Sequence, residues 1–228
     1  MDFCFFHVGN DIEQPLMLVK SLKKYNPDSL IVQLSDLDTP EVPGVNECFR
    51  TKGDLNNLMT YRLKAHSEYI HETPTAFIDT DMLAVSNFDY EMSPDTEVVL
   101  CQRSFYTDLP FNIRSKKMYM PEYEGMTLNQ VYPYLACCTI TRNNKFWVKS
   151  YEWLTEQDPK WHHWYGDQEA IKHLISNDFK DACEFLPESK VACLPEHFKK
   201  EYQPFLVHFK GRPRKPMMEK LFIRLEIT

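Results

Sequence analysis

Strand and helix patterns alternate along the first third of this 228-residue chain. Short apolar runs predict buried strands, and amphipathic segments between them predict helices. Such βαβ units place their strands parallel in one sheet. The sequence therefore predicts an α/β fold with a mostly parallel central sheet, and the length favours a single domain over 1–228. The predicted strands cover 3–8, 30–34, 76–79, 98–101, 134–141 and 205–208, and the predicted helices cover 12–25, 55–70, 145–155, 168–175 and 217–225.

The helix over 55–70 carries a cation on its apolar face. Asp54 is suited to cap its first turn. Arg62 follows Leu58 by four residues and therefore lies on the apolar side, where a guanidinium requires a paired carboxylate. Asp79, at the end of the following strand, is the nearest such group; the alternative is that Arg62 extends along its aliphatic stem to the surface. The other residues predicted on this face are Leu55, Met59, Leu63, Tyr69 and Ile70.

Two carboxylates one residue apart, Asp79 and Asp81, end the strand over 76–79. In an open α/β sheet the ligand crevice lies beyond the carboxyl ends of the strands, so these side chains project to where a substrate would bind. Carboxylate oxygens are the ligands that hard divalent cations prefer. The pair therefore predicts a metal site. The alternative is that aspartate, a common turn residue, only starts the turn into Ser86.

A second polar cluster follows the last predicted strand. His208 ends that strand, and Gly211 begins a loop that carries the cations Arg212, Arg214 and Lys215. Histidine can complete a metal shell in its neutral form, so metal-dependent function should weaken as the pH falls through about 6.5. The cations can neutralise phosphate oxygens. The competing interpretation is a structural histidine followed by a solvated basic loop.

A third cluster opens the helix over 168–175. Asp167 can cap this helix, or it can act in a site together with its neighbour Gln168. Trp161 and Trp164 precede them in the chain. We assign one of these tryptophans to the core and leave the other open as part of an aromatic platform for a sugar or base.

Composition excludes several classes of protein. The net charge is −7, whereas a nucleic-acid surface needs a clustered excess of Lys and Arg. The six glycines form neither a G-x-G-x-x-G fingerprint nor a P-loop. No apolar run reaches the ~20 residues of a membrane span, and no secretory signal pattern opens the chain. The seven cysteines fit neither a disulfide framework nor a zinc ribbon, so we expect a cytoplasmic protein with mostly buried, reduced thiols.

The polar clusters are distributed over nearly the whole chain. Their motifs are Tyr61-Arg62-Leu63, Asp79-Thr80-Asp81, Gly166-Asp167-Gln168, His208-Phe209-Lys210-Gly211 and Lys215-Pro216. In this order they resemble the metal-dependent GT-A glycosyltransferases, and within them the retaining glycogenin and bacterial galactosyltransferase group, family GT8. The resemblance implies a GT-A fold and transfer of a sugar from a nucleotide-sugar donor.

The resemblance also implies roles for individual residues. In that family the paired aspartates and the late histidine ligate Mn²⁺ or Mg²⁺, which bridges the diphosphate of a UDP-sugar; they match Asp79, Asp81 and His208. Asp167 and Gln168 match the catalytic pair near the transferred sugar. The loop after the histidine is one residue longer here than in the family, so the diphosphate-binding cation has two candidates. The donor-binding residues that the resemblance implies are Val8, Asn10 and Asp11 for the base, with Arg62, Thr80, Gly211 and either Arg214 or Lys215.

The sequence thus predicts a metal-dependent glycosyltransferase that uses a nucleotide-sugar donor, with UDP as the expected nucleotide. Two other functions stay open. A phosphohydrolase of the haloacid dehalogenase type also carries Asp-x-Asp after a strand, and a module could bind a nucleotide sugar without catalysis. The donor sugar, the acceptor and the oligomeric state do not follow from these patterns.

Overall fold

A computed structural model describes residues 1–111, 120–199 and 202–227. The strands of the described residues are β1 (Asp2–Phe6), β2 (Ile31–Ser35), β3 (Glu47–Arg50), β4 (Thr75–Ile78), β5 (Met82–Ala84), β6 (Val98–Gln102), β7 (Tyr134–Thr141), β8 (Cys183–Pro187) and β9 (Leu206–His208). The α-helices are α1 (Glu13–Tyr25), α2 (Leu58–Glu68), α3 (Leu128–Val131), α4 (Lys145–Thr155), α5 (Lys160–His163), α6 (Gly166–Ser176), α7 (Glu188–Val191) and α8 (Lys215–Arg224). None of these helices has the length and apolar character needed to cross a lipid bilayer.

Seven strands form the central sheet in the order β3-β2-β1-β4-β7-β6-β8. β1 pairs in parallel with β2 and β4, β2 with β3, and β6 with β8. β7 runs antiparallel to both of its neighbours, β4 and β6. The predicted α/β fold with a mostly parallel central sheet is therefore confirmed, with β7 as the reversed strand.

Two short strands outside the central sheet, β5 and β9, pair antiparallel with each other, and Met82 lies opposite His208. The backbone N–H of Phe209 donates to the carbonyl of Asp81 at 2.8 Å. These residues are far apart in the sequence. The pairing therefore brings the aspartate that follows β4 beside the histidine that ends β9.

The side chains of β1 alternate between two hydrophobic layers, as the period of a strand requires. Phe3 and Phe5 pack with α1 on one face of the sheet, whereas Cys4 packs with α2, α4 and α6 on the other. The cysteines follow the expectation from composition, because all seven are free thiols and most are buried. Both faces of the sheet are therefore covered, which leaves the strand ends as the place for polar side chains.

The structure differs from the predictions mainly at short or irregular elements. The helix predicted over 55–70 is a 3₁₀ turn, Leu55–Asn57, followed by α2, and Asp54 caps the 3₁₀ turn. Leu55 and Ile70 are 55% and 75% exposed rather than buried, because both lie outside the regular turns of α2. Strands β3, β5 and β8 were not predicted. β3 and β8 are short edge strands with charged residues, and β5 is three residues long, so each gives a weak strand signal.

Candidate active site

Three potential metal ligands meet beyond the carboxyl end of β4. Asp79 and Asp81 lie in the connection between β4 and β5, and His208 is the last residue of β9. The Nε2 atom of His208 lies 3.2 Å from Asp81 Oδ1 and 3.7 Å from Asp79 Oδ2. One ligand atom from each of the three residues lies within 4.8 Å of the others. Two carboxylates and an imidazole within this distance fit a divalent cation such as Mn²⁺ or Mg²⁺.

Arg62 ties the aspartate pair to the start of α6. Its Nη1 atom lies 3.1 Å from Asp79 Oδ1, and its Nη2 atom contacts the carboxylate of Asp167. The predicted pairing of Arg62 with Asp79 is confirmed, and the surface alternative is wrong. Asp167 does not cap α6, because Tyr165 occupies the cap position and Asp167 lies in the first turn. A carboxylate there is favoured by the helix dipole and here also balances the partly buried guanidinium.

The chain enters α6 through a strained turn. Tyr165 has a φ of 60°, a left-handed conformation that is uncommon for a residue with a side chain. A Cβ atom on Gly166 would lie 2.2 Å from the carbonyl oxygen of Trp161, so only glycine fits this close approach. Trp161 is buried, whereas Trp164 is 50% exposed. The sequence assignment of one tryptophan to the core is confirmed, and the turn leaves Trp164 at the site.

Gln168 hydrogen-bonds an irregular segment of β7. Leu100 of β6 pairs with Thr139, but the next residue, Cys101, pairs with Leu135, so residues 136–138 form a bulge. The side-chain amide of Gln168 spans this segment. Its Nε2 atom donates to the carbonyl of Tyr134 at 2.9 Å, and its Oε1 atom accepts from the backbone N–H of Ala136 at 3.0 Å. The amide is therefore engaged with backbone at the edge of the site.

Charge at the metal-binding residues is set by their mutual contacts. Burial would raise the pKa of Asp81, but hydrogen bonds from His208 and Lys215 outweigh burial and hold this pKa well below its usual range. Burial likewise opposes a charged His208, but contacts with Cys137 and Asp81 raise the pKa of His208 above its ordinary value. Contact with Cys101 and burial raise the pKa of the Cys137 thiol well above its ordinary value. At neutral pH this thiol is uncharged, so Asp81 is the negative charge that stabilises the imidazolium.

The structure separates the two candidate cations of the basic loop. Gly211 has a φ of 82°, and the loop that it begins leads into α8. The Nζ atom of Lys215 contacts Asp81 Oδ2 and lies 3.3 Å from Gln14 Oε1. Arg214 instead turns away, and its Nε atom lies 2.9 Å from Oε2 of Glu196. Of the two, Lys215 is the cation that the fold brings to the aspartates.

Two cavities adjoin at the metal-binding residues. We name them the β1 cavity, of about 270 Å³, and the α6 cavity, of about 330 Å³. Both are lined by Met59, Arg62, Asp79 and Asp81. The β1 cavity is completed by Phe6, His7, Val8, Leu58, Thr80 and Lys215. The α6 cavity is completed by Leu135, Ala136, Cys137, Trp164, Tyr165, Asp167, Gln168, His208, Lys210 and Gly211.

Most of the predicted site residues line these cavities, but two of those assigned to the base do not. Val8 lines the β1 cavity, whereas Asn10 and Asp11 are exposed and are not among its lining residues. Asp11 Oδ1 instead accepts from the backbone N–H of Glu13 at the start of α1. The backbone bends at Gly9, between Val8 and these two residues, with a φ of 115°.

Three further polar residues of the site were missed in the sequence. His7 lines the β1 cavity, and burial lowers its pKa, which favours the neutral imidazole. Lys210 lines the α6 cavity and forms a 2.8 Å ion pair with the buried Glu188. Gln14 contacts Lys215 from α1. Lys210 could have been found from its position between His208 and the loop glycine, but Gln14 carries no local signal.

No protein-family model matches the sequence, and no curated protein matches it. Among solved structures, the galactosyltransferase LgtC with donor and acceptor sugar analogues is similar over 99% of this chain and 95% of that chain, with a TM-score of 0.59 and 17% identity. GlyE of Streptococcus pneumoniae TIGR4 is similar over 100% of this chain and 60% of that chain, with a TM-score of 0.61 and 14% identity.

A glycosyltransferase involved in glycosylation of the major capsid of PBCV-1 has the same overall arrangement. The similarity covers 96% of the present chain and 100% of the viral enzyme, with a TM-score of 0.60 and 10% identity. At these identities the similarity defines the fold. The chain thus has the GT-A glycosyltransferase fold, and the resemblance seen in its motifs is supported by its three-dimensional structure.

Proposed function

We propose that this protein, acting as a single GT-A domain over 1–228, is a metal-dependent glycosyltransferase that uses a UDP-sugar donor. The observation that carries the proposal is the group formed by Asp79, Asp81 and His208, which lies where two cavities adjoin in a GT-A fold. A donor of this class has a nucleotide, a diphosphate and a sugar in sequence. The β1 cavity suits the nucleotide, the metal group suits the diphosphate, and the α6 cavity suits the sugar and the acceptor.

A divalent cation on the three ligands would act as a Lewis acid toward the departing diphosphate. Arg62 and Lys215 place two further positive charges next to Asp79 and Asp81, where the diphosphate would carry its negative charge. His7 and Val8 lie on the nucleotide side. These residues orient and neutralise the leaving group without a glycine-rich phosphate loop.

The α6 cavity supports a retaining reaction. Its described carboxylates, Asp79, Asp81 and Asp167, all form ion pairs with Arg62 or Lys215. Because each is held by a cation, none of them is positioned as a general base for an acceptor in this arrangement. We therefore propose that the leaving diphosphate itself accepts the acceptor proton on the same face of the sugar, which retains the anomeric configuration.

The proposal is tested by measuring UDP binding and release. Thermal stability should rise with UDP only when Mn²⁺ or Mg²⁺ is present, and UDP should be released slowly from the preferred UDP-sugar when water replaces the acceptor. An equal response to UDP without metal would contradict the metal role. A non-catalytic binding module would show the thermal shift but release no UDP from any sugar of a panel.

The phosphohydrolase alternative makes the opposite prediction. Such an enzyme would cleave p-nitrophenyl phosphate and would lose that activity when Asp79 is replaced by Asn. In this structure Asp79 is paired with Arg62 and lies near His208, an arrangement that suits neutralisation of a ligand rather than nucleophilic attack. Rapid, Asp79-dependent hydrolysis of the monoester would overturn the glycosyltransferase proposal.

A further inference from the structure

Both carboxylate oxygens of Asp81 already have cationic or hydrogen-bonding partners within the protein. His208 Nε2 lies 3.2 Å from Oδ1, and the ammonium of Lys215 contacts Oδ2. Gln14 gives the same ammonium a second acceptor at 3.3 Å. A divalent cation that binds Asp81 must therefore come close to the positive charge of Lys215, and like charges at such distances repel strongly where water is limited.

Lys215 can move, whereas Arg62 is held in place. Its side chain is 33% exposed, and it stands at the start of α8 on a flexible four-carbon stem. Arg62 is held on two sides by Asp79 and Asp167 and is 18% exposed. Lys215 also lines the β1 cavity beside Thr80. It can therefore leave Asp81 and still remain at the cavity where the diphosphate of a donor would lie.

We propose that Lys215 couples metal binding to diphosphate binding by alternating between Asp81 and the diphosphate. This inference rests on the proposed use of a nucleotide diphosphate. Without a diphosphate, Lys215 neutralises Asp81 and competes with the divalent cation. A bound diphosphate offers Lys215 a stronger anion and frees the carboxylate for the metal. By linkage, each ligand then strengthens the binding of the other, beyond the direct attraction between metal and phosphate.

This coupling has a signature that simpler roles of Lys215 lack. Replacing Lys215 by Gln removes the competing charge, so Mn²⁺ alone should bind more tightly, by about tenfold. The same change removes a phosphate contact, so UDP with saturating Mn²⁺ should bind more weakly, again by about tenfold. If Lys215 only contacted the diphosphate, replacing it would leave the affinity for Mn²⁺ in the absence of UDP unchanged. If Lys215 had only a structural role, replacing it would weaken the binding of both Mn²⁺ and UDP.

The experiment measures Mn²⁺ binding by electron paramagnetic resonance and UDP binding by calorimetry at one pH. The variants are wild type, Lys215→Gln, the charge-retaining Lys215→Arg, and Lys220→Gln, which removes an exposed charge of the same helix. Circular dichroism checks that each variant is folded. Only in Lys215→Gln do we expect the affinity for Mn²⁺ to rise while the affinity for UDP falls. Both affinities should be close to wild type in Lys215→Arg and unchanged in Lys220→Gln.

The outcomes separate this inference from the proposed function. If wild type binds UDP with metal but Lys215→Gln does not bind Mn²⁺ alone more tightly, the coupling is wrong and the glycosyltransferase proposal stands. If Mn²⁺ binds more tightly to Lys215→Gln but UDP affinity is unchanged, Lys215 only competes with the metal and the coupling is again wrong. If wild type binds no UDP with any metal, the proposed donor is wrong, and the coupling is wrong with it.

Discussion

The β1 cavity and the α6 cavity share four residues but are built in different ways. The β1 cavity is formed by residues just beyond the ends of β1 and β4, among them Val8 and Thr80, and by Leu58 at the start of α2. The α6 cavity is formed by the bulge at residues 136–138 and by the left-handed turn at Tyr165. The connections after the strands position the charged side chains, whereas irregular backbone shapes the cavity beside them. On our proposal the β1 cavity binds the nucleotide, and the α6 cavity binds the sugar and the acceptor.

The largest effect should come from removing the cation that both cavities share. Arg62→Met leaves the buried carboxylate of Asp167 without its partner, and breaking such an ion pair from one side costs about 3 kcal/mol of unfolding free energy. Urea denaturation measures this change. Lys64→Met is the matched control on the same helix, because its pair with Glu68 is at the surface and is worth less than about 1 kcal/mol.

A loss of stability in Arg62→Met no larger than that in Lys64→Met would show that the ion pairs of Arg62 contribute little to stability. In that case the two cavities are not held together by Arg62. The same variant should lose metal-dependent UDP binding, since Asp79 would no longer be oriented by the guanidinium.

The second largest effect should come from the metal-binding carboxylate that Lys215 contacts. Asp81→Asn keeps the shape of the side chain and removes its charge, so we expect Mn²⁺ affinity to fall by about tenfold to hundredfold, the scale typical of disturbed metal sites. Calorimetric titration of Mn²⁺ measures the loss. Asp89→Asn, at an exposed position away from both cavities, is the control and should bind as wild type. Unchanged affinity in a folded Asp81→Asn variant would refute the site.

The third effect concerns the pH dependence of metal binding: the affinity for Mn²⁺ should rise by close to tenfold per pH unit. The folded protein raises the pKa of His208 above the ordinary value of about 6.5, so the stability that its charged form contributes is complete below about 6.5. That stability is lost as the pH rises through the raised folded pKa of His208. Metal binding has the opposite trend, because coordination needs the neutral imidazole and releases its proton.

Thermal-shift measurements at several pH values can separate these two trends. Between about pH 6.5 and 8.5, above the ordinary histidine pKa, the melting temperature without metal should fall while the increment caused by Mn²⁺ grows. The window lies above the one expected from an isolated histidine, because Asp81 stabilises the imidazolium. His208→Gln should remove most of the pH dependence of both the melting temperature without metal and the Mn²⁺ increment. An Mn²⁺ increment that stays constant over this range in wild type would contradict a ligand role for His208.

The smallest effect should be confined to the α6 cavity. In Gln168→Glu the carboxylate can still accept from Ala136, but it cannot donate to the carbonyl of Tyr134, so we expect a loss of about 1 kcal/mol in unfolding free energy. Binding of the sugar part of a donor should weaken, while Mn²⁺ and UDP affinities stay near wild type. The measurement compares UDP with UDP-sugar affinities by calorimetry.

Gln157→Glu is the matched control for this change. The amide of Gln157 also donates to a backbone carbonyl, that of Trp153, at 2.9 Å, but it lies away from both cavities. A similar loss of stability in both variants, with weaker UDP-sugar binding only in Gln168→Glu, would support a role for Gln168 in positioning the bulge. Equal UDP-sugar affinities would show that the bulge does not shape the sugar site.

The sequence predicted the regular parts of this fold well because their signals are local. Strand β7 and helix α4 have the bounds predicted for them, since each has a strong apolar period over several turns or residues. The partner of Arg62 was also predictable, because a helix and the following strand of a βαβ unit are neighbours in space. The contact of Arg62 with Asp167 was not predicted, since it depends on how α6 packs against α2.

The sequence by itself determined which groups this protein brings to its site. Paired aspartates after a buried strand, a histidine at a strand end and a basic loop are chemistry that each segment carries alone. The tertiary structure decided how these groups pair. Strand β9 joins β5, so His208 reaches Asp81; the loop after Gly211 turns Lys215 inward and Arg214 outward toward Glu196. These choices depend on packing and charge pairing between distant segments, and local patterns do not encode them.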